Sequence, residues 1–174
     1  EKIKLGLNSL IPDDIYVKKV SEVEDSFHAR FNVKAKEYIY KINMGIYNPI
    51  EKDYIYQYSK KLDISEMERA LKYLEGTHDF KSFVKSDDEI DDYVRTISQA
   101  LVARDSKDFN KIIISFVGTG FLRYMVRNMV GALMLVGNGK EKPEVIKTML
   151  EDKSKKANYM TVPANGLYLE KVDY

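Results

Sequence analysis

Between residues 96 and 133 the hydrophobic period of the chain changes once, and that change constrains the fold more than any other feature. Residues 96–103 and 111–117 are strand-like runs rich in β-branched and apolar side chains, separated by the polar turn of residues 104–110. They predict an antiparallel hairpin. Gly118-Thr119-Gly120 follows, and then Leu122, Met125, Val126, Met129, Val130 and Leu133 recur at helical spacing. This predicts a helix that opens at the glycines, buries one face and ends at Gly137-Asn138-Gly139. Strands and helices elsewhere are mixed without a regular βαβ alternation. The expected class is therefore α+β, with a mainly antiparallel mixed sheet and helices packed on one face.

The remaining segments fill in this outline. Residues 3–10 read as the tail of a helix stopped by Pro12 and the Asp13-Asp14 turn, and Ile15, Val17 and Val20 suggest a short strand. A longer strand is expected over residues 27–44, closed by residues 45–49. Residues 54–58 would pair with it antiparallel across a loop of residues 45–53. Asp63, with Glu66 three positions on, predicts a capping box for a helix whose Met67, Ala70, Leu71 and Leu74 face inward before Gly76. Pro143 suits the first turn of a shorter helix reaching about Leu150, and residues 167–172 make a final strand. No repeat or long linker divides the 174 residues, which are expected to form a single domain.

Composition narrows the chemistry. Cysteine is absent, which excludes disulfides, a thiol nucleophile and Cys-ligated metals. His28 and His78 are the only histidines and lie far apart, so a His-rich metal site is not expected. With 28 basic and 27 acidic residues the net charge is +1, so any case for nucleic acid must rest on local patches. No apolar run approaches the roughly 18–20 residues that span a bilayer. Glu1-Lys2-Ile3-Lys4 carries no signal-peptide core. A cytoplasmic protein without a membrane partner is expected.

Several segments could carry chemistry. Period-2 alternation puts Lys34, Lys36, Tyr38, Tyr40 and Ile42 on one face of a strand. Lysines followed by aromatic rings suit a phosphate backbone with a stacked base, and they equally suit a half-buried strand with solvated lysines. Arg123 and Arg127, spaced i, i+4 with Tyr124 and Asn128 nearby, could hold a carboxylate bidentately or simply face water. Residues 76–83 offer His78, Asp79 and Ser82 close together, but triads are assembled from distant segments, so a turn docking Phe80 and Phe83 into the core is the better reading. The acidic residues 87–92 lack EF-hand spacing, and residues 153–156 (KSKK) form a modest basic patch.

Five blocks, in order, resemble one family: LNSLIPDDI at residues 7–15, DSFHARFNVKAKEYIY at 25–40, GTHDFKSF at 76–83, GTGFLRYMVRNMVG at 118–131 and PANGLYL at 163–169. The chain resembles the C-terminal part of tRNA pseudouridine synthases of the TruA type. The resemblance implies an isomerase that converts uridine to pseudouridine on the 3′ side of the tRNA anticodon arm. It also implies no cofactor or metal, a homodimer, and an aspartate nucleophile in an Arg-Thr-Asp segment. That segment lies upstream of LNSLIPDDI in the family, and here the only Arg-Thr pair, Arg95-Thr96, is followed by Ile97. No aspartate of this chain is therefore nominated, and the 174 residues alone are expected to be inactive. By resemblance, Tyr38 stacks on the target base, Arg127 pairs with the aspartate and Leu167 packs beside the uracil. His28, Arg30, Lys34, Lys36, Arg123 and Asn128 are expected tRNA contacts. The rival readings are a non-catalytic RNA-binding module on the same fold, and an interaction domain that binds no RNA.

Overall fold

The computed structural model describes residues 1–84, 91–152 and 159–174, so Asp87, Asp88, Glu89 and the basic patch at 153–156 lie outside the described residues. By their contacts these residues form two compact units, Glu1–Asn32 and Val33–Tyr174. In the first, α1 (Lys2–Asn8) is the expected short helix. The strand expected around Val17 is absent. The Asn8 side chain takes over the role of a strand partner: its Oδ1 accepts from the Val17 amide at 2.7 Å and its Nδ2 donates to the Val17 carbonyl at 3.1 Å. Residues 28–32 are turns as well. His28 Nδ1 accepts from the Arg30 and Phe31 amides, and Asn32 Oδ1 accepts from the His28 amide. The strand expected from residue 27 consequently starts only at Ala35.

The second unit is built on one mixed sheet, comprising β1 (Ala35–Asn43), β2 (Tyr56–Gln57), β3 (Gly76–Asp79), β4 (Val94–Arg104), β5 (Lys111–Gly118) and β6 (Leu167–Asp173). The order is β2-β1-β5-β4-β3, with β6 also paired to β1. β4 and β5 form the expected hairpin. β2 runs parallel to β1, against the expected antiparallel pairing, with Ile42 opposite Tyr56. Residues 44–55 loop out and re-enter beside the last two residues of β1, so that β2 runs in the same direction there, and the 3-10 turn Pro49–Glu51, capped by Asn48 Oδ1 on the Ile50 amide, shapes that loop. β3 occupies the segment expected to be only a turn, while Phe80 and Phe83 are fully buried as expected.

Register decides which residues share a face. Tyr38, Phe116 and Ala100 are cross-strand neighbours, as are Tyr40, Ile114 and Val102. The helices pack on this face, so Tyr40, Ile42, Ile112, Ile114 and Phe116 are buried, and each buried large side chain contributes about 1.5–3 kcal/mol. Helix α2 (Ile64–Leu71) is capped by Asp63 Oδ1, which accepts from the Glu66 amide. The reciprocal half of the capping box does not form, because the Asp63 amide donates to the Gly137 carbonyl and Glu66 pairs with Arg69. That carbonyl ends α3 (Met125–Gly137), which packs against α2, and α4 (Glu144–Glu151) completes the layer.

The start of α3 differs from the sequence expectation. The glycines do not open it. Gly118 ends β5, where a Cβ would stand 2.5 Å from the Thr96 carbonyl oxygen, so glycine serves the approach of β4 and not a helix terminus. Residues 121–124 form a turn, closed by the Met125 amide on the Leu122 carbonyl at 3.1 Å, and the helix begins at Met125.

Candidate active site

A cleft of about 360 Å³ opens on the helix-covered face, between Tyr38 of β1, Leu167 of β6 and residues 121–127. Its size falls in the range of sites for small organic groups. Tyr38 reaches it because β1 alternates: Tyr38 and Tyr40 share a face, but only Tyr40 lies under the helices. The Tyr38 ring meets Phe121 edge-on at 5.1 Å, and its hydroxyl has no hydrogen-bond partner among the described residues.

Tyr40 builds the opposite wall indirectly. Its hydroxyl donates to the Pro163 carbonyl at 2.6 Å, and burial, reinforced by Tyr56 and opposed by Arg127, holds its pKa far above the ordinary tyrosine value. It is therefore a neutral donor at physiological pH. Anchoring Pro163 fixes the 3-10 turn Ala164–Gly166 and hence the start of β6, where Leu167 pairs with Tyr40. A one-residue register shift between Glu37 and Tyr38 follows on the same edge.

Arg127 sits in the first turn of α3, half-buried. Its Nε donates to the Val162 carbonyl at 2.7 Å, while Nη1 and Nη2 make no hydrogen bond among the described residues. A guanidinium tied at Nε and open at its terminal pair is preset to receive a planar anion such as a carboxylate. No Asp or Glu lines the cleft among the described residues, and no three His, Asp or Glu side chains among them are grouped to hold a metal ion. Among the described residues no helix is long and apolar enough to cross a membrane.

The structure thus brings Tyr38, Arg123, Arg127 and Leu167 to one cleft. Arg123 precedes the helix, so it does not share a helical face with Arg127. The two instead converge on Tyr124, whose ring has the Arg123 and Arg127 guanidinium carbons over it at 5.2 and 5.0 Å. Asn128, expected as a substrate contact, does not line the cleft. It is 3% exposed, its Nδ2 donates to the Phe83 carbonyl at 2.7 Å, and its Oδ1 accepts from Thr161 Oγ1 at 2.6 Å. Lys34 and Lys36 do not line the cleft: Lys34 precedes β1 and is exposed, and Lys36 is half-buried two residues before Tyr38. His28 and Arg30 belong to the other unit, Glu1–Asn32, where the Arg30 guanidinium lies 5.8 Å from the Phe31 ring centroid. Phe121 and Tyr124 are lining residues that the sequence reading did not select. The aromatic residues flanking Leu122-Arg123 were the available signal, but a helix drawn from Gly118 hides the turn that places them.

A family model described as tRNA pseudouridine synthase matches residues 70–174, which includes every lining residue except Tyr38. The tRNA pseudouridine synthase A of Anoxybacillus flavithermus is 45% identical over the whole chain, which spans 70% of that protein. The enzyme of the same name from Pseudothermotoga lettingae is also 45% identical over the whole chain, with 71% of its length covered. That of Clostridium acetobutylicum is 43% identical with 70% covered. The blocks that carried the resemblance, the α+β fold and these matches agree, and the chain belongs to the tRNA pseudouridine synthase family.

Proposed function

We propose that the cleft is the uridine-binding part of a tRNA pseudouridine synthase active site acting on the 3′ side of the anticodon arm. The observation that carries this reading is the convergence of Tyr38, Arg127 and Leu167, from three elements distant in sequence, on one cleft of suitable size. The reaction is an isomerisation: the bond from uracil N1 to the ribose breaks, the base turns, and a bond from C5 to the same ribose carbon forms, with no atom gained or lost. Tyr38 offers a ring face for stacking, worth about 1–3 kcal/mol per base. Leu167 supplies an apolar wall that keeps water away and strengthens the polar contacts around the base.

Arg127 receives the nucleophilic aspartate, which the family resemblance places in an Arg-Thr-Asp segment that these 174 residues do not contain. Pairing with a guanidinium keeps a carboxylate ionised, lowering its pKa by about 1–3 units, and orients it through two parallel hydrogen bonds. The enzyme acts as a homodimer in the cytoplasm, where its tRNA substrate resides. Mapping pseudouridine in a tRNA transcript treated with the intact enzyme tests the reading. Conversion on the 3′ side of the anticodon arm is expected, and conversion confined elsewhere overturns it. The 174-residue chain alone is expected to bind tRNA in a salt-dependent way and convert none.

A further inference from the structure

We infer that Tyr124 is a positioning residue of this site, whose ring fixes the plane in which Arg127 presents its guanidinium; the inference rests on the reading of Arg127 as a carboxylate partner. Tyr124 is one of two non-glycine residues described with positive φ, at 62°. An L-residue with a bulky side chain rarely adopts this conformation, and such residues gather where a site requires them. Here it permits two things at once. The Tyr124 carbonyl accepts from the Asn128 amide at 2.9 Å, so the residue already closes the first bond of α3. Its ring is meanwhile turned to line the cleft, with the Arg127 guanidinium carbon 5.0 Å from its centroid.

The single hydrogen bond from Arg127 Nε to Val162 leaves the guanidinium free to swing about that axis. A cation–π contact with an aromatic ring restricts this freedom, and bidentate recognition of a carboxylate depends on the plane so held. The ring also lies under Arg123, at 5.2 Å, so its electron-rich face offsets the repulsion between two cations held near one site. Side-chain packing alone does not account for Tyr124, because the residue is only half-buried at the cleft.

The test compares Tyr124→Gly, Tyr124→Asn and Tyr124→Phe with Arg127→Ala in the intact enzyme, reading kcat, KM for a tRNA transcript and the thermal midpoint. Glycine and asparagine accept the left-handed backbone but carry no ring. Their kcat is expected to fall about tenfold or more through misplacement of the fork, with KM changed by less than about threefold and the thermal midpoint essentially unchanged. Tyr124→Phe keeps the ring and is expected to restore near wild-type kcat. If Gly and Asn retain wild-type kcat while Arg127→Ala loses it, the positioning role falls and the reading of the site stands. If Arg127→Ala itself retains turnover, both fall. A loss of kcat that tracks a lowered thermal midpoint, or an equal loss in the Phe variant, also overturns the inference.

Discussion

Residues 121–127 and residues 128–137 are continuous in the chain, yet they treat polar groups and backbone strain in opposite ways. In the first stretch a tyrosine holds a left-handed backbone, an arginine keeps two terminal nitrogens without a hydrogen-bond partner among the described residues, and the side chains are mostly half-exposed around a cleft. In the second, the one polar side chain inside the helix, Asn128, has both ends of its amide hydrogen-bonded. Its neighbours Met129, Val130, Leu133 and Val136 are buried. Arg127 and Asn128 are adjacent in sequence but fall on opposite sides of this divide. The former leaves its two terminal nitrogens without a hydrogen-bond partner among the described residues, and the latter commits both ends of its amide to Phe83 and Thr161. Unsatisfied capacity and strain concentrated in one place mark a site, whereas satisfied capacity marks a scaffold.

Replacing the two neighbours tests this contrast most directly. In the intact enzyme Arg127→Ala is expected to lower kcat at least a hundredfold, about 3 kcal/mol or more in transition-state stabilisation. Its unfolding free energy from urea denaturation should change by about 1 kcal/mol or less. Equal losses in tRNA affinity and turnover would remove the carboxylate-pairing role. Gly131→Ala should do the reverse. A Cβ there overlaps the Met160 carbonyl oxygen, which is backbone and cannot rotate away, so a destabilisation of about 1–3 kcal/mol is expected with turnover per folded molecule retained.

Asn128→Ala leaves the Phe83 carbonyl without its donor and should cost about 1–3 kcal/mol of stability, again with little change in turnover at low temperature. A large kcat loss in a fully folded Asn128→Ala enzyme would break the comparison, because it would place Asn128 among the substrate contacts. On the cleft side, Tyr38→Ala is expected to lose about 1–3 kcal/mol of base stacking, whereas Tyr38→Phe keeps the ring. A loss in Tyr38→Phe as large as in Tyr38→Ala would shift the role from the ring to the hydroxyl.

The smallest effect is zero at neutral pH. Tyr159, whose hydroxyl donates to the Ser82 carbonyl, has its pKa pushed by burial from the usual 10.0 to about 12. The unfolded chain therefore loses this proton before the folded one does. The contribution is fully present below pH 10, and stability falls as pH rises from there through about 12. Tyr159→Phe should flatten that decline in an alkaline denaturation series while leaving turnover at neutral pH nearly intact.

Much of the scaffold was legible because local chemistry and tertiary need coincide. The β4–β5 hairpin, the Asp63 cap of α2, the apolar stripe of α3 and the β6 strand all lie where periodicity and capping residues put them. Tyr38, Arg127 and Leu167 were reached through the family resemblance and do meet at one cleft. Elsewhere the same local signals misled. Val17 is paired by an Asn8 side chain in place of a strand, and β2 turned out parallel. Each of these depends on which distant group occupies the remaining hydrogen-bonding position, and periodicity carries no information about that.

The amino-acid sequence by itself determined the α+β class, through periodicity and local spacing, and the family, through the order of its blocks; the ring and the fork were singled out only by that family resemblance. Only the tertiary structure decided that α3 begins at Met125 and that Tyr124 stands left-handed before it. The same holds for the convergence of Arg123 and Arg127 on the Tyr124 ring and for the Val162 carbonyl that holds Arg127. The physical reason is that a glycine-rich joint leaves the chain several locally acceptable paths. Burial of Met125, Val126 and Met129 against the sheet, together with the carbonyl groups of residues 160–163 on one flank, selects one of them.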